Sequence, residues 1–119
     1  MAGPKVFITP VSAGLLPTTI IDLSQITGVP NSLETTLATY TALGDQTIGD
    51  IVLSGTDYAR FNIYLNTVLS FVVRSGPSRQ ANLQLQRPWQ LLTGDVVDIK
   101  VIHYNMTATA DFESTILGA

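Results

Sequence analysis

From Tyr58 onward the chain is cut into short runs of alternating apolar and polar residues, each closed by a turn former. No other feature limits the fold as tightly, because a period of two belongs to strands with one buried face. In "YARFNIYLN", Phe61, Ile63 and Leu65 fall on one side, with Arg60, Asn62 and Tyr64 on the other. "VLSFVVR" follows Asn66-Thr67, with Leu69, Phe71 and Val73 read as its core face and Val68 and Val72 opposite. Gly76-Pro77 punctuates strongly. "ANLQLQ" sets Leu83 and Leu85 against Asn82, Gln84 and Gln86. Pro88, which cannot donate to a ladder, is expected to end that strand. After "LLTGD" a strand runs from Val96 to Tyr104, and "ATADFESTIL" supplies the last one.

The first half is less sharply patterned. "VFITP", "TTIIDLSQI" and "TIGDIVLSG" read as strands. "NSLETTLATYTALG" is compatible with two readings. Asn31 and Glu34 have capping-box spacing, with Leu33, Leu37 and Tyr40 at helical intervals, whereas the threonines favour a strand. A strand, or a short helix running into one, is expected. The sum is an all-β chain of about eight to ten short strands, the pattern of a single jelly-roll-type antiparallel β-sandwich. Residues 31–119 are assigned to the sandwich. Residues 1–30, rich in Pro and Gly, are assigned to an N-terminal arm or edge strands contacting a neighbour.

Composition bears on what surrounds such a domain. Hydrophobic residues make up 45% of the 119, but charged residues only 13%, about half the usual share. A surface short of charge suits a protein covered in part by other protein. The net charge is −3, and Val6 to Ala59 contains no Lys or Arg. The cations that follow, Arg60, Arg74, Arg79, Arg87 and Lys100, are too dispersed for the dense patch that nucleic acid requires. Cysteine is absent, which excludes disulfides and thiolate chemistry. The N-terminus is a poor match to a signal peptide, and no segment approaches the ~20 apolar residues of a membrane span.

The strand from Val96 to Tyr104 raises the question of assembly. Val97, Ile99 and Val101 form a core face, while Asp98, Lys100, Ile102 and Tyr104 form the other, charged at one end and apolar at the other. A sheet covered on one side alternates cleanly. Here the outer face is greasy too, and so are the outer positions of the neighbouring strands. Tyr64, Val68, Val72, Ile102 and Tyr104 are therefore expected to form an oligomer interface. The alternative is that residues 1–40 fold back over the same face.

A resemblance enters at Leu91-Leu92-Thr93-Gly94-Asp95-Val96-Val97-Asp98-Ile99-Lys100-Val101. This run is similar to the late strand of tumour-necrosis-factor-like and complement-type globular heads, where "L..GD.V.V" precedes a final strand that opens with an aromatic. Phe112 to Leu117 takes that final place, and the likeness spans about residues 58–117. Where those heads carry Phe-x-Gly, this chain has Phe112-Glu113-Ser114. The resemblance implies a jelly roll that trimerises around an apolar axis. Compact, Cys-free versions look most like virion accessory proteins of tailed bacteriophages. For this chain it implies a capsid decoration (cement) protein, a homotrimer bound to the major capsid protein or another virion protein on the capsid exterior. The alternative is the trimeric receptor- or glycan-binding head of a phage fibre, with Trp89 and Arg87 at the ligand.

Chemistry is sparse, and neither an enzymatic activity nor a cofactor is expected. His103 is the single histidine. Asp111 and several serines exist, but nothing marks a nucleophile elbow or oxyanion loop, so a satisfied or interfacial histidine is the expectation. Asp45 and Asp50 lack the calcium-loop pattern and read as turn residues. Trp89, in "QRPWQL", is either an exposed sugar-stacking platform or a wedge at a strand end. Asn105-Met106-Thr107 fits a glycosylation acceptor.

Overall fold

The structure, a computed structural model, describes residues 19–77, 79–104 and 109–119. "VFITP" and Asn105-Met106-Thr107 lie outside the described residues. Eight strands follow in order: β1 (Thr19–Pro30), β2 (Thr35–Thr41), β3 (Gln46–Gly55), β4 (Ala59–Leu65), β5 (Val68–Ser75), β6 (Gln80–Leu91), β7 (Val96–His103) and β8 (Thr109–Gly118). The ambiguous segment after Asn31 is the strand β2, and no helix occurs among the described residues. Ser32, at φ +64°, turns the chain instead of capping a helix, and its N–H donates to the His103 carbonyl.

The strands form two antiparallel sheets of four, ordered β1-β8-β3-β6 and β2-β7-β4-β5. Consecutive strands switch sheets at every connection except the β4–β5 hairpin, which is jelly-roll wiring. The alternation seen in the sequence decides what lies between the sheets. Ile48, Ile51, Leu53 and Ile116 face Phe61, Ile63, Val97, Ile99 and Val101, all fully buried. Residues 19–30 are β1, an edge strand paired with β8, and its Val29 belongs to the core.

Turn chemistry holds the end opposite His103. Asn66 and Thr67 adopt φ of 49° and 69°, the primed conformation that a two-residue hairpin needs. The Asn66 amide then reaches the next turn, donating to Asp95 Oδ1 at 3.1 Å and accepting the Val96 N–H at 2.8 Å. Asp95 Oδ2 accepts the Leu92 N–H at 2.8 Å. These two bonds, the Leu92 N–H first, hold the Asp95 carboxyl below the usual aspartate range, against a smaller opposing effect of burial.

Two bulges depart from the expected pattern. Phe71 and Val73 pair with Ile63 and Phe61 and face the core side, but beyond Ser70 the register slips and Leu69 pairs with Tyr64. One extra residue reverses the faces. Leu69 is therefore on the outer face and Val68, paired with Leu65, is not. The second correction concerns Pro88, which does not end its strand. Asp50 pairs with Gln84 and Ile48 with Trp89, so residues 85–88 stand opposite Gly49 alone. β6 is an edge strand, and within such a bulge the missing N–H of Pro88 is not needed.

Candidate functional site

The arrangement closest to catalytic chemistry is a buried Asp–His pair. His103 ends β7, and Asp57 sits in the turn between β3 and β4. His103 Nδ1 lies 2.8 Å from Asp57 Oδ2, and Nε2 lies 2.6 Å from the Val29 carbonyl oxygen. A carbonyl only accepts, so Nε2 carries a hydrogen and donates it. The Tyr58 N–H donates to the other carboxylate oxygen at 2.8 Å. Both side chains are fully buried. A triad histidine offers Nε2 to a nucleophile; here Nε2 is occupied by β1. The pair joins β1, the β3–β4 turn and β7, and so ties the two sheets together. Its acid is Asp57, not the Asp111 considered from sequence, which instead accepts the Gly28 N–H.

The outer face of the β2-β7-β4-β5 sheet gathers most of the expected interface residues. Tyr64 stands between Asp98 and Leu69, Asn62 between Lys100 and Val72, and Arg60 between Ile102 and Arg74. Tyr64, Val72 and Ile102 therefore share this face. Val68 faces the opposite way, and Tyr104 lies past the end of β7. The face is apolar at the β5 margin and polar at its centre. Glu34 reaches over it from the β1–β2 connection, accepting from Asn62 Nδ2 at 2.7 Å and from the Tyr64 hydroxyl at 3.2 Å. Loss of hydration, and then the Glu34 charge, push the Tyr64 hydroxyl above the ordinary tyrosine range. Lys100 Nζ stands 5.1 Å from the Tyr64 ring centroid, and Thr39 donates to Asp98 at 2.6 Å. Capping-box spacing is one of the two sequence readings of Glu34, and nothing local signals its reach to β4.

β5 is exposed on both faces. Val68, Leu69 and Val72 are 64%, 50% and 45% exposed, and the strand's outer edge carries no partner among the described residues. Phe71 leans from it onto Trp89, with ring centroids 5.7 Å apart. Together they line a cleft of about 600 Å³ with Leu85, Arg87 and Pro88. Trp89 is half-buried against the core, so it is both the wedge and, on its other side, a wall of this cleft.

Asp45 and Asp50 do not converge on a common site, and no group of three metal-ligating side chains occurs among the described residues. Asp50 Oδ1 is buried without a hydrogen-bond partner, and burial raises its carboxyl, with an Ile51 backbone bond opposing. A raised folded-state value means that ionisation opposes folding. The contribution of Asp50 is complete below its unfolded value and is lost as pH rises through the folded one. Asp50→Asn is expected to raise stability at pH 7 by about 1 kcal/mol and to lose that advantage below about pH 4. Asp95 has the opposite sign, so Asp95→Asn should destabilise near neutrality and do nothing in strong acid. Urea midpoints for the two variants across pH check both signs.

Topology and core define the described residues as an eight-stranded jelly-roll sandwich. No family model matches the sequence, and no curated protein matches it. Among solved structures, the chain is similar to the CBM36-1 domain of a multidomain xylanase from the hindgut metagenome of Trinervitermes trinervoides. That likeness has 15% identity and a TM-score of 0.42, and covers 89% of this chain and 93% of that one. It is also similar to a chain in the structure of the infectious bursal disease virus Gx strain, at 10% identity and a TM-score of 0.30. There 88% of this chain corresponds to 32% of the other, so the chain spans about a third of that viral protein's length.

Proposed function

We propose that this chain is a virion structural protein, a jelly-roll subunit that forms homotrimers and seats on the exterior of a bacteriophage shell as a decoration protein. The observation that carries the reading is β5. An edge strand with apolar residues exposed on both faces is a template for association. A soluble monomer is under pressure to blunt such a strand with charge or proline, and β5 has only Arg74, near its end. The low overall charge and the resemblance to trimeric heads point the same way. In this reading Tyr64, Leu69, Val72 and Ile102 pack around the threefold axis, each contributing about 1 kcal/mol on burial, because each is already half-buried or more. The Pro-rich N-terminal segment grips the major capsid protein or another shell protein. The trimer acts mechanically, bridging shell subunits and adding buried area to contacts under internal pressure. No catalysis or cofactor enters this role.

Light scattering tests it. The wild type is expected at about three times the 12.8 kDa chain mass. Leu69→Asp with Val72→Asp is expected to be a monomer with unchanged β circular dichroism. A monomeric wild type overturns the trimer, and a trimeric double variant overturns this face as its interface. The second reading, a trimeric glycan-binding head of a phage fibre, is favoured by the cleft between Phe71 and Trp89, with Arg87 at its rim.

A further inference from the structure

The His103 end of the sandwich carries a second recessed surface, separate from the Trp89 cleft. Arg74, near the end of β5, and Arg79, just before β6, line one cleft of about 500 Å³ with Tyr58, Gly76 and Pro77. Arg74 and Tyr58 also line an adjoining cleft of about 430 Å³ with Tyr104. Ser75 lies in both, and its hydroxyl is buried without a hydrogen-bond partner. Tyr58 and Tyr104 are each about half exposed. Gly76 fits closely under Tyr58: a Cβ there would stand 3.1 Å from the ring.

Arg79 also lines a neighbouring cleft with Asp111 and Glu113, but no described carboxylate reaches either Arg74 or Arg79. The one ion pair among the described residues is Asp57–His103, so neither guanidinium has a carboxylate within ion-pair distance. Asp57 itself is turned inward to the histidine. Arg60, beside Arg74 on the sheet, adds a third cation whose Nε is also buried without a partner. Two arginine forks suit a carboxylate, which guanidinium binds in a bidentate fashion. A bare anion would leave the two tyrosines without a role. Aromatic faces flanking polar groups take the C–H face of a sugar ring, and the cleft volumes suit one or two rings.

We infer that Tyr58, Arg74, Ser75, Arg79 and Tyr104 form a binding site for an acidic saccharide, a uronate- or sialate-type sugar whose carboxylate lies on the arginines. The residues of the site all come from a single chain. On a shell-bound protein it would give the particle weak affinity for acidic surface glycans.

Titration of the ¹⁵N-labelled full chain with tetragalacturonate tests it, with cellotetraose and a tetraglutamate peptide as controls. Tetragalacturonate is expected to bind with a Kd of about 1 mM or tighter, shifting amides at Tyr58, residues 74–76 and Tyr104. Arg74→Gln and Tyr58→Ala should each weaken it at least about tenfold, Arg74→Lys less, because the charge survives without the fork. Leu43→Ala, at an exposed position near the opposite end, should leave it unchanged. Absence of binding overturns the site, as does equal binding of cellotetraose. Equal binding of tetraglutamate shows an acidic-peptide surface and overturns the saccharide. Wild-type affinity in Arg74→Gln with native circular dichroism overturns the assignment of the arginine.

Discussion

His103→Leu is expected to cost about 3–5 kcal/mol of folding stability, the usual penalty for leaving one member of a buried ionisable pair without its partner. Leucine fills similar space, so packing alone does not explain such a loss. Without the imidazole, Asp57 Oδ2 and the Val29 carbonyl both lose a partner in a fully buried site. Asp57→Asn should cost far less, about 1 kcal/mol. Its amide oxygen still accepts the Tyr58 N–H, and its NH₂ donates to Nδ1 of a neutral His103 that still donates from Nε2 to Val29. Urea denaturation of both variants decides the matter. Equal losses would show that the carboxylate charge, not the bonding pattern, holds the two sheets together here.

The second large effect is expected at Phe112, whose removal to alanine should cost about 3–5 kcal/mol. The ring is buried, edge-on to Phe61 at 5.8 Å and tilted against His103 at 5.5 Å. It fits because its cross-strand partner is Gly55. A Cβ at Gly55 would lie 2.1 Å from the Phe112 ring, so Gly55→Ala must displace a ring packed against both Phe61 and His103. That overpacking should cost about 1–3 kcal/mol. With Phe112→Ala already in place the ring clash is gone and only a 3.1 Å approach to the Asp111 carbonyl remains, so Gly55→Ala should then cost much less. A double-mutant cycle measures this coupling; simple additivity would mean that the glycine serves the backbone and not the ring.

The Gly55–Phe112 pair shows why local reading stops where it does. The aromatic opening the last strand is visible in "DFES", and the glycine ends the apolar run "IVLSG". That one exists to admit the other is a fact of pairing across 57 residues (112 less 55). The same holds for Asp57 and His103, and for Glu34 above Asn62 and Tyr64. The Tyr58, Arg74 and Tyr104 cluster is equally scattered in the chain, and only the end of the sandwich brings it together.

What the sequence determined on its own is the set of strands and, for most, which side is buried. Val97, Ile99 and Val101, or Phe61 and Ile63, declare a face because side-chain direction alternates with each residue whatever the strand later pairs with. The turns at Asn66-Thr67 and Gly94-Asp95 are legible for a similar reason, since backbone preference acts over two or three residues. The tertiary structure alone decided the order of strands in each sheet, and with it the bulges at Ser70 and at residues 85–88. A bulge leaves residue chemistry unchanged and alters only which neighbour each residue meets. Leu69 therefore reads as core in the sequence and stands exposed in the fold, because the register is settled by packing against β4 and not within β5.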